Sequence, residues 1–169
     1  WDDVFPYFKK AEHQERGESD HYGSGGLLNI ADQISPNEMT KAFIRAAQKM
    51  GIRANPDFNG AEQDGVGLYQ VTQKQGKRHS TAVAYIKHAL NRPNVQVETD
   101  AQVTKILFEG QCAVGVEYQQ QAQKQSARCT REVILCGGSI NSPQLLMLSG
   151  IGAGDHLREF DIPVVVDNP

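Results

Sequence analysis

Between residues 100 and 136 the chain repeats short β-rich runs with almost nothing between them. "AQVTKILFEG" passes into "CAVGVEYQQ" within a residue of its final glycine, and the polar tract "QQQAQKQS" leads on to "ARCTREVILC". A parallel neighbour needs a crossover of about a dozen residues or more, so runs joined this closely pair antiparallel. With "NVQVETD" just upstream, the strands "VQVET", "QVTKILF", "AVGVEY" and "REVILC" are predicted to include an antiparallel meander. A helix between residues 100 and 118 is incompatible with this reading. The charge-poor tract reads as an exposed hairpin tip.

Upstream the period changes. "DDVFPYFKKAEHQ" reads as a short helix restarted near Pro6. The glycines of "HYGSGGLLNI" do not follow GxGxxG spacing and no strand precedes them, so they predict a turn feeding the strand "LLNI" rather than a phosphate loop. "SPNEMTKAFIRAAQKM", residues 35–50, predicts a helix with Ser35 as N-cap, Pro36 at the first position and Glu38 completing a capping box. Its stripe of Met39, Phe43, Ala47 and Met50 is expected in the core, and Gly51 is expected to end it. Residues 54–79 form a long polar loop, with "GLYQVTQ" alternating like a short strand inside it. Ser80 is placed to cap a helix over "TAVAYIKHAL". The fold class is therefore mixed α/β, with helices and long loops in 1–93 and a β-meander plus strand–turn–helix in 94–169.

Charge and composition exclude some functions. A net charge of −3 offers no basic field for nucleic acid. No apolar run approaches the roughly 18 residues of a membrane span. Cys112, Cys129 and Cys136 show neither CxxC spacing nor a nearby histidine pair, which argues against zinc and against a disulfide framework. A reduced, cytoplasmic setting is expected from them. The chain opens on Trp1 and stops within "VVVDNP", and from these ends it is expected to be a piece of a longer enzyme.

The densest signal is "REVILCGGSINSPQLLMLSGIG". It predicts a buried strand, a glycine turn at Gly137 and Gly138, and a helix "QLLMLS" with Ser142 as N-cap and Pro143 at N1. "GDHLREFDIP" adds a further helical turn or two and "VVVD" a last strand. Such a turn leaves backbone N–H groups at a helix N-terminus, where an anion is favoured. It equally serves close strand–helix packing, and spacing alone leaves both readings open.

"GGSINSPQLLMLSGIG" closely resembles the second signature of the glucose–methanol–choline (GMC) family of flavin-dependent oxidoreductases. "WDDVFPYFKKAE", "HYGSGGLL", "GIRANPDFNGAEQDGVGLYQVTQKQGKRHSTAVAYI" and "NVQVETDAQVTKILFEGQCAVGVEY" follow in that family's order. The resemblance implies part of an FAD-binding fold over 94–169 and part of a substrate-binding α+β domain over 1–93. It implies FAD as cofactor and hydride transfer from the CH–OH group of choline or another primary alcohol. Val103 in "TDAQV" matches the family position whose backbone holds adenine, and Cys136 and Gly137 match the strand end that passes the adenosine. The family's catalytic histidine lies in a later segment, so no catalytic residue is assigned here. His13, His21, His79, His88 and His156 match non-catalytic positions. Arg78 is expected to brace the 54–79 loop, which would wall the substrate cavity. The isolated chain is expected to be inactive and prone to self-association. The alternative reading is a non-catalytic scaffold or binding module that retains the fold.

Overall fold

The structure is a computed structural model describing all residues 1–169. The chain divides into two compact units, Trp1–Gln96 and Val97–Pro169.

In the first unit, helix α1 (Phe5–Ala11) carries Pro6 in its first turn, where a missing N–H costs nothing. It runs directly into β1 (Glu12–Gln14), which pairs in parallel with β2 (Leu28–Ile30), Glu12 opposite Leu28. The intervening "HYGSGG" segment lies against α1 and β1. A Cβ on Gly23 would stand 1.8 Å from the Lys9 carbonyl oxygen, and one on Gly26 2.4 Å from that of Glu12. These glycines permit close backbone approach and lead into β2 as expected, but a strand, β1, does precede them, contrary to expectation.

Helix α2 (Glu38–Lys49) departs from the expected cap. Asn37, not Ser35, is the N-cap: it is extended, and its side chain accepts the Met39 N–H at 2.8 Å. The expected core stripe is also overturned. Met39, Phe43 and Met50 are 77%, 71% and 84% exposed, because the face carrying Lys41, Ile44 and Ala47 is the half-buried one.

The 54–79 stretch contains the two-residue hairpin β3 (Gln73–Lys74) and β4 (Lys77–Arg78). Val71, within the expected "GLYQVTQ" strand, makes a single bridge to Ala31. The segment expected as an α-helix after Ser80 opens as a π-helical turn (Ala82–Ile86) before α3 (Lys87–Ala89). Ser80 contributes its carbonyl, to the Ala84 N–H at 2.8 Å, rather than a side-chain cap. Tyr85 in that turn donates to the Ala11 carbonyl at 3.2 Å. The interior of this unit is unusually polar, with Gln14, Asn29 and Asn55 buried beside Tyr22, Ala31 and Ala84.

The second unit is built on the predicted meander: β5 (Gln102–Glu109), β6 (Cys112–Gln120) and β7 (Gln123–Arg128), all antiparallel. The polar tract is more than a tip. Only Gln121 and Ala122 turn; Gln119 and Gln120 end β6, and residues 123–126 begin β7. "VQVET" and "REVILC" were expected as strands, yet neither enters a ladder. Residues 132–136 keep a strand's alternation of burial, with Val133 and Leu135 half-buried, but pair with no strand of this chain.

Helix α4 (Gly138–Leu148) begins earlier than predicted and contains Pro143. Ser142 is inside it, where its hydroxyl reaches back to accept the Gly137 N–H at 3.0 Å. Then β8 (Ile151–Gly152) pairs in parallel with β9 (Val166–Asp167) around α5 (Gly154–Glu159). Asp167 accepts the Gly154 N–H at 2.8 Å and so caps α5 from the neighbouring strand. Ile106, Leu157 and Ser149 are this unit's buried centre.

Candidate functional site

The second unit holds a cavity of about 650 Å³, within the range of small-molecule sites. One wall is the start of β5, with Gln102 and Val103. Gly115 and Val116 of β6 and the end of β7 continue it. Opposite are the extended segment Glu132–Cys136, Gly137, and the first turns of α4 with Asn141, Ser142 and Leu145. Val103 and the adjacent pair Cys136 and Gly137, distant from it in sequence, thus border one cavity.

Each contributes differently. Val103 is half-buried, and its carbonyl accepts the Gln102 side-chain amide at 3.3 Å, so a donor outside the ladder reaches it. The β5–β6 register slips between Val103 and Lys105, leaving Thr104 as the extra residue of a bulge. Cys136 is exposed with a free thiol. Gly137 sits tightly at the turn: a Cβ there would lie 3.1 Å from that of Asn141 and 3.2 Å from the Ser142 hydroxyl oxygen.

Of the charged residues lining the cavity, Arg128 is paired and Glu132 forms no ion pair. Arg128 at its rim forms an ion pair with Glu109. Glu117 accepts from the Thr104 hydroxyl at 3.1 Å and faces Lys124 at 3.3 Å. The hydroxyl first, and the ammonium second, hold its carboxyl below the usual range.

In the first unit, Arg78 does not brace the loop. It is exposed and forms no side-chain hydrogen bond or ion pair. Other residues do that work. Asn55 donates to the Glu62 and Asp64 carbonyls at 2.8 and 3.2 Å, Arg16 to the Pro56 carbonyl at 3.0 Å, and the Tyr22 hydroxyl to Asp57. Of the histidines, His13 and His79 accept backbone N–H groups from Gly25 and Asn29 at 3.0 and 3.2 Å, and His156 lies 3.7 Å from Glu159. His21 and His88 are exposed.

Sequence reasoning passed over Thr104 and Ser149. The first carried no signal before the register was known. The second had one: a lone hydroxyl after "LLML" at a helix end.

The chain matches the GMC oxidoreductase family over residues 1–168. It is 46% identical over 171 aligned positions to a mitochondrial choline dehydrogenase of Mus musculus, covering 100% of this chain and 29% of the relative. It is also 46% identical over 172 positions to an alcohol dehydrogenase (acceptor) of Pseudomonas putida, covering 100% of this chain and 31% of that one. Among solved structures it resembles pyridoxine 4-oxidase from Mesorbium loti, with a TM-score of 0.83 at 29% identity, over 100% of this chain and 33% of that one. An FAD-dependent oxidoreductase from Chaetomium thermophilum gives a TM-score of 0.84 at 25% identity, over 100% and 32%. The chain therefore spans about a third or less of the length of these proteins. By its match from residue 1 to 168 and its likeness to these relatives, the chain belongs to the GMC oxidoreductase family.

Proposed function

We propose that this chain forms part of an FAD-dependent oxidoreductase that oxidises the CH–OH group of choline or another primary alcohol. The observation that carries the reading is the convergence of Val103, Cys136 and Gly137 on one cavity in a chain of this family. The names of its relatives, choline dehydrogenase and alcohol dehydrogenase, support the substrate class.

The residues present fit an adenosine-like group. The cavity has an apolar wall, a backbone carbonyl at Val103 that a side-chain donor outside the ladder reaches, and a turn at Gly137 with little room for a side chain. Val103 would offer its backbone to the adenine edge, while Cys136 and Gly137 would flank the adenosine. Bound FAD supplies the hydride acceptor; the protein supplies orientation and a dry, shaped site.

Val97–Pro169 would then be the cofactor side and Trp1–Gln96 the substrate side. The histidines that accept backbone N–H groups serve the fold in this reading, and none is offered as the base. A reduced, cytoplasmic setting belongs to this reading, from a sequence whose three cysteines show no CxxC spacing. By itself the chain would be inactive. A hydrogen bond or two at Val103, each worth about 1 kcal/mol net, falls short of the roughly 4 kcal/mol that even millimolar binding requires. The unpaired 132–136 segment and the exposed Ile134 and Ile140 would favour self-association.

The test is the full-length protein with bound flavin, assayed for dye reduction by choline and by simple primary alcohols. Val103→Ile should retain flavin, and Val103→Pro should lose it because the N–H is deleted. Equal retention by folded samples of both variants would reject the Val103 assignment; turnover of none of these alcohols would reject the substrate class.

A further inference from the structure

Val103 stands next to the first of two register shifts in the β5–β6 ladder; the second, between Leu107 and Phe108, returns the pairing to its first register. Opposite the step from Tyr118 to Glu117, β5 advances from Val103 past Thr104 to Lys105. An extra residue bends a strand and re-aims its neighbours, and without something to hold it the ladder gains by slipping back into regular register. The side chains at this place supply the hold. The Thr104 hydroxyl lies 3.1 Å from a Glu117 carboxylate oxygen and 3.3 Å from the Glu117 carbonyl. Lys124 on β7 reaches the same carboxylate oxygen of Glu117 at 3.3 Å. One carboxylate on the central strand thus ties both outer strands together at the bulge, while Val103 alone of this group borders the cavity.

We infer that Thr104 and Glu117, with Lys124 in support, are positioning residues for the cofactor: they fix the bulge that sets the Val103 backbone toward the cavity. This rests on the FAD reading of Val103. It goes beyond that reading by assigning a role to residues that do not touch the cavity. A merely stabilising ion pair on a sheet surface predicts something different, because such pairs contribute about 0–1 kcal/mol and act on the whole fold. A clamp on the bulge acts on cofactor retention while leaving global unfolding nearly unchanged.

The experiment uses the full-length flavin-loaded protein. Thr104→Val keeps the β-branched shape favoured in a strand and removes only the donor. FAD release by flavin fluorescence is measured alongside unfolding by circular dichroism. Thr104→Val should weaken FAD retention about fivefold to tenfold, the scale of one lost hydrogen bond, with the unfolding midpoint little changed. Thr104→Ser should restore retention. Glu117→Gln should weaken it in the same direction, and the double variant should lose less than the product of the two single effects.

Retention unchanged in Thr104→Val, or lost only in step with unfolding, would overturn the inference. Val103→Pro separates the two levels. If a folded Val103→Pro protein loses FAD while Thr104→Val does not, the clamp is wrong and the cofactor reading stands. If folded Val103→Pro retains FAD, the reading itself fails and the clamp falls with it.

Discussion

The Ser149 hydroxyl oxygen accepts the backbone N–H of Ile106 at 2.8 Å and donates its own proton to the Leu145 carbonyl at 2.6 Å. One small side chain therefore satisfies a β5 donor that points away from β6 and a carbonyl of the last turn of α4. Both Ser149 and Ile106 are buried, so water has little access to replace the bond. The serine between "LLML" and "GIG" joins the meander to the helix that borders the cavity.

Ser149→Ala should leave the Ile106 N–H buried without a partner, at a cost of about 1–3 kcal/mol. Hydrogen exchange of the full-length protein resolves this locally. Peptides covering β5 should exchange about tenfold faster or more, since each 1.4 kcal/mol is a factor of ten. Unchanged protection across β5 would mean that the junction does not depend on this bond.

The same bond shows what could be read from sequence and what could not. The meander was legible because a Gly-containing link of two residues between "QVTKILFE" and "CAVGVEYQQ" admits only one kind of pairing. Helix α2 was legible as a helix, but its start was not. Asn37 and Ser35 are both good caps, and the extended backbone at Asn37 decided between them. "REVILC" has a strand's alternation, yet a ladder requires a neighbour, and local pattern carries no information about one. The polar interior of the first unit was hidden for a related reason. Tyr22 meets Asp57, and Asn29 meets the Gln73 carbonyl, across 35 and 44 positions of sequence. Val103, Cys136 and Gly137 stood out only through resemblance to a family. Nothing in a strand valine or a glycine turn announces a ligand, and their common cavity emerges only when β5 and α4 are set side by side.

Cys136 offers a direct probe of that cavity. Its thiol is exposed at the rim, whereas Cys112 is exposed on β6 and does not line the cavity. With FAD bound in the full-length protein, maleimide labelling mapped by mass spectrometry should fall at Cys136 and stay unchanged at Cys112. Removal of the flavin should restore it. Because a thiol reacts only as far as its thiolate is accessible, a change of at least about fivefold is expected for a covered group. Equal labelling of Cys136 with and without FAD would place the cofactor elsewhere.

Tyr22 gives the fold a pH dependence whose direction follows from its surroundings. Burial first, and then the hydrogen bond to the Asp57 carboxylate, push its phenol well above the usual tyrosine range. The folded protein keeps a proton that the unfolded chain releases near pH 10. The stabilisation is therefore fully present below about pH 10 and is lost as the pH rises through the higher folded value. Tyr22→Phe removes this titration and also strips Asp57 of a donor, leaving it the Asn59 N–H at 3.2 Å. At neutral pH the variant should be less stable by roughly 1.5–3 kcal/mol, the range for a hydrogen bond to a charged group. Above pH 10 its stability should fall less steeply than that of the parent, so the two curves converge as alkalinity increases. Denaturant unfolding of the full-length protein at neutral pH and between about pH 9 and 11, around the ordinary phenol value, measures both effects. Parallel curves across that interval would show that the Tyr22 proton is not held by the fold.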